Sequence, residues 1–288
     1  MKRRRWILAL PILLCGATLG MGFRVNSALF GPPPLGVDAH FAAGPAEPGQ
    51  PRLKALSYNV NFGLPGDEAT LTAIEEAEAD VVFLQETTEE WEESLRSRFF
   101  ARYPHAAFVP GPGAGGMGVM SRWPFVVRET IANPNRWFPA MLLRIDTPLG
   151  AIQALNVHLH PPVSEGGSWV AGYFTTSEVR LAEIQRFARA LAPGVPTIVA
   201  GDFNEVESGD AVRFLERGGA TDAVFALAGD TTTWHWPVGP VTLRMQLDHL
   251  LYSGGLRPTE VTIREVGNSD HFPVLVELTR DCATRPCP

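Results

Sequence analysis

Thr197-Ile198-Val199-Ala200-Gly201-Asp202-Phe203-Asn204 is a β-branched and apolar run that ends in an acid and an amide two residues apart. Strand side chains alternate between two faces, so Asp202 and Asn204 leave the strand on the same face. An acid and an amide so placed suit a metal ion or a phosphate. The same pair is also common in turns, where Asp and Asn bond their own backbone. The stretch therefore acquires meaning only from its partners.

Those partners recur along the chain. Ala55-Leu56-Ser57-Tyr58 leads into Asn59, and Val81-Val82-Phe83-Leu84-Gln85 into Glu86. Gly150 to Val157 leads into His158, the segment around Leu247 carries Asp248, and Ser269-Asp270-His271 precedes the run Phe272 to Leu278. Each is an apolar run beside a polar group fit for metal or phosphate chemistry. Polar groups this far apart in sequence meet only in a folded chain, and sites gathered at the ends of several strands are how open α/β architectures build catalytic centres.

Between these runs the helical period appears. Asp67 to Ala79 sets Leu71, Ile74 and Ala77 on one side, and Thr88 to Phe100 repeats Trp91, Leu95 and Phe99, with Thr88 as a cap and Glu89, Glu90, Glu92 and Glu93 in its opening turns. Thr175 to Leu191 and Asp210 to Arg217 are further helices, the latter stopped by Gly218-Gly219. Met141 to Ile145 and Ala151 to Val157 flank a hairpin signal, Asp146 to Gly150. Gly111 to Gly118 lacks the Lys and Ser/Thr of a phosphate-binding P-loop and reads as a loop. Strands and helices mix, and hairpins occur, which predicts a mixed α/β domain with a substantially antiparallel sheet.

The 288 residues are 45% hydrophobic and show no internal repeat, so one core is expected, and with it a monomer. Lys2-Arg3-Arg4-Arg5 precedes 18 uncharged residues, Trp6 to Phe23, a signal anchor or signal peptide that would hold the body outside the cytoplasm, in the cell envelope or secreted. Residues 24–52 read as a Pro/Gly-rich tether, with six prolines and four glycines between Gly31 and Arg52. The catalytic body is expected over 53–278, and residues 279–288 as a tail in which Cys282 and Cys287 form a small-loop disulfide. The formal net charge is −7, and the four basic residues of the N-terminal segment contribute +4, leaving −11 for the rest. So acidic a body argues against unaided binding of a polyanion such as duplex DNA, although bound divalent cations offset that locally.

Taken together, the chain resembles the endonuclease/exonuclease/phosphatase (DNase I-like) superfamily of metal-dependent phosphoesterases. The resemblance rests on seven motifs in the family's order: Ser57-Tyr58-Asn59-Val60-Asn61, Leu84-Gln85-Glu86, Gly118 to Pro124, Asn156-Val157-His158-Leu159, Gly201-Asp202-Phe203-Asn204, Leu247-Asp248-His249 and Ser269-Asp270-His271. It implies an α/β fold, a four-layer α/β/β/α sandwich of two packed, mixed, largely antiparallel sheets flanked by helices. It implies Mg²⁺ or Mn²⁺ as cofactor, with Glu86 as principal ligand and Asn59 and Asp270 beside it; hard oxygen donors suit such an ion. Asp202 resembles the acid that orients the attacking water, Asn204 the amide that holds a phosphate oxygen, and His158 the histidine that faces the developing phosphorane charge. His271 would work with Asp248, and Asn61 would add an outer contact to the substrate. Arg122 and Arg180 are candidates for the substrate phosphate, against the alternative of ordinary salt bridges.

Some residues depart from the better-known branches. Arg244-Met245-Gln246-Leu247 stands where many members carry Arg-Ile-Asp, and Val199-Ala200 replaces the Trp that precedes Gly-Asp in the inositol 5-phosphatases. Phosphodiester hydrolysis, nuclease-like or sphingomyelinase-like on a phospholipid headgroup, is thus expected ahead of a phosphomonoesterase on a small or inositol phosphate, and ahead of a non-catalytic binding module. His158 with His160 is the pattern of a zinc pair, but the run continues Pro161-Pro162 and lacks the Asp-His of metallo-β-lactamase-type sites. His249 points away from Asp248 along a strand and reads as structural. Trp234, His235 and Trp236, read as a loop, suit base stacking, a lipid interface or plain core packing.

Overall fold

The computed structural model describes residues 38–44, 49–133, 138–163, 172 and 175–280. The N-terminal basic and apolar segment, most of the tether and the Cys282/Cys287 tail lie outside them. Among the described residues no helix is long and apolar enough to cross a membrane.

In chain order the elements are β1 (Asp38–Ala42), β2 (Leu53–Asn59), α1 (Glu68–Glu76), β3 (Val81–Gln85), α2 (Glu89–Phe99), β4 (His105–Val109), β5 (Met117–Ser121), β6 (Phe125–Ile131), β7 (Ala140–Thr147), β8 (Gly150–His158), α3 (Ser177–Ala188), β9 (Thr197–Asp202), α4 (Asp210–Arg217), β10 (Thr221–Asp222), α5 (Ala223–Ala228), β11 (Trp234–Val238), β12 (Val241–Met245), β13 (Asp248–Ser253), β14 (Leu256–Arg264) and β15 (Val274–Arg280). One sheet has the order β1-β14-β15-β2-β3-β5-β4, a second β10-β13-β9-β8-β7-β6, and β11-β12 form a separate hairpin. The parallel pairs are β2 with β3 and β8 with β9; the remaining pairs of the two large sheets are antiparallel.

Period two assigns the layers. Leu53 and Ala55 of β2, Val81 and Phe83 of β3, Ile152 and Ala154 of β8, Ile198 and Ala200 of β9 and Leu250 of β13 belong to one apolar core between the sheets. The alternate residues Leu56, Tyr58, Val82 and Leu84 face Leu71, Ile74, Trp91, Leu95 and Phe99 of α1 and α2. On the other sheet Leu155, Val157, Val199 and Leu251 face Ile184, Phe187, Val212 and Leu215 of α3 and α4. The result is the expected four-layer α/β/β/α sandwich. α2 starts where its cap predicts, with Thr88 Oγ1 accepting from Trp91 N (3.2 Å), and Asp67 caps α1 by accepting from Thr70 N (2.8 Å).

Two expectations are corrected. Part of the stretch read as a tether is a strand: β1 pairs along its whole length with β14. Its backbone hydrogen bonds, and not an apolar side-chain period, hold it there, so the sequence pattern did not show it. Trp234 to Trp236, read as a loop, are the first half of β11, paired through Trp234 with Met245 and Trp236 with Leu243.

Counting inward from the core, Asn59, Gln85, Asn156, His158, Asp202 and Asp248 all fall on the inner faces of the sheets. Gln85 Nε2 donates to Asn156 Oδ1 (2.8 Å), and Asn156 Nδ2 donates to the carbonyls of Leu84 and Gly118 (3.1 Å each). This buried amide pair ties the strand that leads to Glu86 to the strand that ends in His158.

Candidate active site

The site lies where β2, β3, β8 and β9 end and β13 begins. Register does much of the placement: Asp202 sits opposite His158 on parallel β8 and opposite Asp248 on antiparallel β13. Gly201, just before it, has φ +145°, and a Cβ there would run into the Val157 carbonyl, so only glycine lets β9 lie this close to β8.

Asn59 is the bridge. Its Nδ2 donates to Glu86 Oε1 (3.0 Å) and to Asp202 Oδ2 (3.1 Å), while its Oδ1 accepts from Asn61 N (3.1 Å). So placed, Asn59 orients the two carboxylates. Glu86 Oε2 accepts from Phe62 N (3.1 Å). Asn61 Nδ2 donates to Asp270 Oδ1 (3.0 Å), and the Trp234 indole to Asp270 Oδ2 (3.0 Å). Ser269 Oγ donates to the Asn59 carbonyl (2.7 Å) and accepts from His271 N (3.2 Å), which fastens the Ser269–His271 turn to β2.

Deeper in, His271 Nδ1 meets Asp248 Oδ2 at 2.9 Å and its Nε2 lies 3.5 Å from Asp202 Oδ2. His158 Nε2 is 3.4 Å from the same Asp202 oxygen, and its ring stacks on Phe138 (centroids 3.9 Å apart). Asn204 N donates to Asp202 Oδ1 (2.8 Å), and Asn204 Nδ2 to the Leu159 carbonyl (2.9 Å). Asn61, Glu86 and Asn204 hold φ of 61°, 62° and 53°, a left-handed backbone in which a glutamate is seldom found. Strain of this kind persists where the surroundings fix it, and it clusters at functional sites.

The electrostatics follow from burial. Desolvation pushes the Asp202 carboxyl up to about 7, against the pull of His271, and it also raises Glu86. Burial opposes charge on His271, yet Asp248 and Asp202 overcome it and lift the imidazole to about 10. His158, buried and beside His271, falls to about 3 and is neutral.

Four carboxylates, Glu86, Asp202, Asp248 and Asp270, thus face one imidazolium. Among the described residues no lysine or arginine forms an ion pair with any of them. Among the described residues, the buried Asp248 Oδ1 has no hydrogen-bond partner, and Asp202, Asp248 and His271 form the group of acids and histidines whose donor atoms come within 4.8 Å of one another. In that triad the imidazolium already spans the two acids. The more open carboxylates Glu86 and Asp270 could hold a hard divalent ion, which the excess negative charge would suit. Saturating Mg²⁺ or Mn²⁺ is accordingly expected to raise the melting temperature: at one hundred times Kd the gain is about 2.7 kcal/mol, or roughly 5–10 °C for a domain of this size. Glu86→Gln is expected to remove most of that shift in differential scanning fluorimetry.

The two arginines do not join the cluster. Arg122 follows β5 at the far end of the sheet, where Ser121 lies opposite Val81, and it pairs with Asp80 (3.2 Å). Arg180 is 2% exposed and occupied by Glu205 (3.1 Å) and Thr176 Oγ1 (2.7 Å). An arginine's reach is long, so sequence position alone did not tell phosphate from carboxylate. His160 Nδ1 lies 2.6 Å from the Pro161 carbonyl and stays outside the cluster, which removes the zinc pair. His249 is structural as expected: it faces the helical layer and bonds Asp222 (2.7 Å). Sequence reasoning assigned no role to Ser269 or Gln85 and left Trp234 open. Ser269 and Gln85 stand inside the motifs, but their polar contacts are made across the fold.

A sequence profile of the Endonuclease/Exonuclease/phosphatase family matches residues 56–271. A search of curated proteins by sequence finds no match. Among solved structures the fold is similar to ANGEL2, a 2′,3′-cyclic phosphatase, in complex with adenosine-2′,3′-vanadate (TM-score 0.64, 15% identity, 85% of this chain and 99% of that one). It is also similar to D. rerio TDP2 complexed with a single-strand DNA product (TM-score 0.60, 18% identity, 79% and 99%). A third likeness is to an endonuclease/exonuclease/phosphatase from Beutenbergia cavernae DSM 12333 (TM-score 0.60, 18% identity, 80% and 72%). The profile spans about three quarters of the sequence, the motifs stand in order and the four layers agree: the chain belongs to the endonuclease/exonuclease/phosphatase family of phosphoester hydrolases.

Proposed function

We propose that this protein is a divalent-metal-dependent phosphodiesterase that acts outside the cytoplasm. The observation that carries the reading is the single amide of Asn59 spanning Glu86 and Asp202, which couples a metal-side carboxylate to a carboxylate whose pKa lies near neutrality. Asp202 takes the proton of a water attacking phosphorus while the ester P–O bond opposite breaks and the leaving alkoxide takes a proton from solvent, a task suited to a base poised near the working pH. His271 is within 3.5 Å of Asp202. On this reading its imidazolium, held by Asp248, faces the phosphoryl oxygens and stabilises their charge. Neutral His158 adds an N–H from the other flank of Asp202, and Asn204 holds a phosphate oxygen. Mg²⁺ or Mn²⁺ at Glu86 and Asp270 would supply charge neutralisation on the phosphate.

Among diesters, a phospholipid headgroup is favoured over nucleic acid by one feature. The hairpin β11–β12 carries Trp234, Trp236 and Val238 on one face with Met245, Leu243 and Val241 across from them. It leaves Trp236 49%, Val238 52% and Val241 43% exposed, on the hairpin whose buried Trp234 bonds Asp270. The acidic body gives a polyanion no comparable surface. The two neighbours with a cyclic-phosphate analogue and a DNA product keep the nuclease-like reading in play.

The purified protein is to be tested with Mg²⁺ on sphingomyelin vesicles, supercoiled plasmid, inositol phosphates and a chromogenic diester. Choline-phosphate release without plasmid nicking is expected. Nicking without lipid hydrolysis would select the nuclease, and release of inorganic phosphate alone would exclude a diesterase.

A further inference from the structure

Behind the site, on the side facing α3 and α4, lies a buried charged network that the proposed reaction does not use. Glu205, Arg180, His249 and Asp222 are each 3% exposed or less. Buried ion pairs are poor stabilisers, because desolvation offsets most of their attraction, and a role in fixing one conformation is their better-attested use. All four converge on the segment that follows Asp202.

Glu205 is the hub. Its Oε1 accepts from the Ala211 and Val212 amides at the start of α4 (2.6 and 2.9 Å) and its Oε2 from Arg180 Nε (3.1 Å). Its backbone carbonyl accepts from His249 Nε2 (2.9 Å). His249 Nδ1 in turn bonds Asp222 Oδ2 (2.7 Å), which also accepts from Gln246 Nε2 (3.0 Å). The residue before Glu205 is Asn204, held at φ 53°. Both the side chain and the carbonyl of Glu205 are thus anchored immediately after a strained backbone. A shift there moves the Asn204 amide and the Asn204 N–H that orients Asp202.

We infer that Glu205 is a positioning residue for the reaction, with His249 as its second anchor: together they clamp Asn204 in the left-handed conformation from which it reaches the phosphate. The inference rests on the catalytic reading of Asn204 given above and goes beyond it. Simple capping of α4 is the competing explanation, and a double-mutant cycle separates the two.

With a chromogenic diester and Mg²⁺, Glu205→Gln in the full-length protein is expected to lower kcat about 10–100-fold at little change in KM, the cost of misplacing a contact by about an ångström. In an Asn204→Ala background the same substitution is expected to cost clearly less, because the side-chain amide is gone and only the backbone N–H to Asp202 is left to be displaced. Glu205→Gln leaves Arg180 without its partner, so His249→Gln provides a second route if that variant fails to fold. A smaller kcat loss that also shrinks with Asn204→Ala is expected of it. Wild-type kcat in both variants, or an equal fold-loss with and without the Asn204 side chain, would overturn the inference. A wild-type rate for Asn204→Ala alone would instead overturn the catalytic reading of Asn204, and the clamp's purpose with it.

Discussion

Asp202→Asn is expected to lower kcat about 1,000-fold, within the 10²–10⁴ range of a lost general base, while the protein stays folded. The substitution keeps the shape of the side chain, and its carbonyl oxygen retains the bond from Asn204 N. What it removes is, among the described residues, the one buried carboxylate in contact with Asn59, His158 and His271 together. The pH profile sharpens the test. Asp202, pushed up to about 7 by burial, must be ionised to take a proton, so kcat rises with pH through its pKa. A bound cation moves that limb to lower pH. His271, lifted to about 10 by its two acids, must keep its proton, so kcat falls above that value. Asp202→Asn is expected to flatten the acid limb and to move the alkaline one to lower pH, because one of the two acids that lift His271 is gone.

His271→Ala is expected to damage both stability and rate. In the native protein the imidazolium stands between Asp248 and Asp202, both buried. Removing it leaves two carboxylates facing each other across a space without a counter-charge, and losing one partner of a buried pair costs about 3–5 kcal/mol, or roughly 6–20 °C in melting temperature for a domain of this size. The rate is expected to fall about 10²–10³-fold, the scale of one preorganised electrostatic contact to the transition state. Asp248→Asn combined with His271→Ala is expected to recover part of the stability but none of the rate. Thermal unfolding and steady-state kinetics on the single and double variants check both halves. A double variant no more stable than His271→Ala would mean that charge repulsion is not the cause.

The four layers were legible because burial imposes a period. Leu56 and Tyr58 alternate with Ala55 and Ser57, and the same alternation that assigns the core carries Asn59, His158, Asp202 and Asp248 to inner-facing strand ends. The helix cap at Thr88 was legible because it is local. What escaped is what depends on partners distant in sequence. β1 lies among glycines and prolines and is held by backbone pairing to β14. β11–β12 contains Pro237 and Gly239-Pro240, residues that weaken a strand reading, yet a two-stranded hairpin leaves outward N–H positions unpaired and tolerates them. Arg180 and Glu205 are 25 residues apart, and no local signal marks either as the other's partner. Asn59 was visible as a site residue, but its role as a donor to two acids is set by which way its amide lies, and only the folded surroundings determine that.

The most direct measurement is the initial rate of bis(p-nitrophenyl) phosphate hydrolysis by the purified protein, as Mg²⁺ or Mn²⁺ is titrated into chelator-stripped samples of wild type and Asp202→Asn. A phosphodiesterase centred on Glu86, Asn59, Asp202 and His271 predicts a rate that is absent with chelator, rises to saturation with metal, and stays about 1,000-fold lower in the variant at every metal concentration. Equal rates in the two proteins, or a wild-type rate indifferent to chelator, would contradict it.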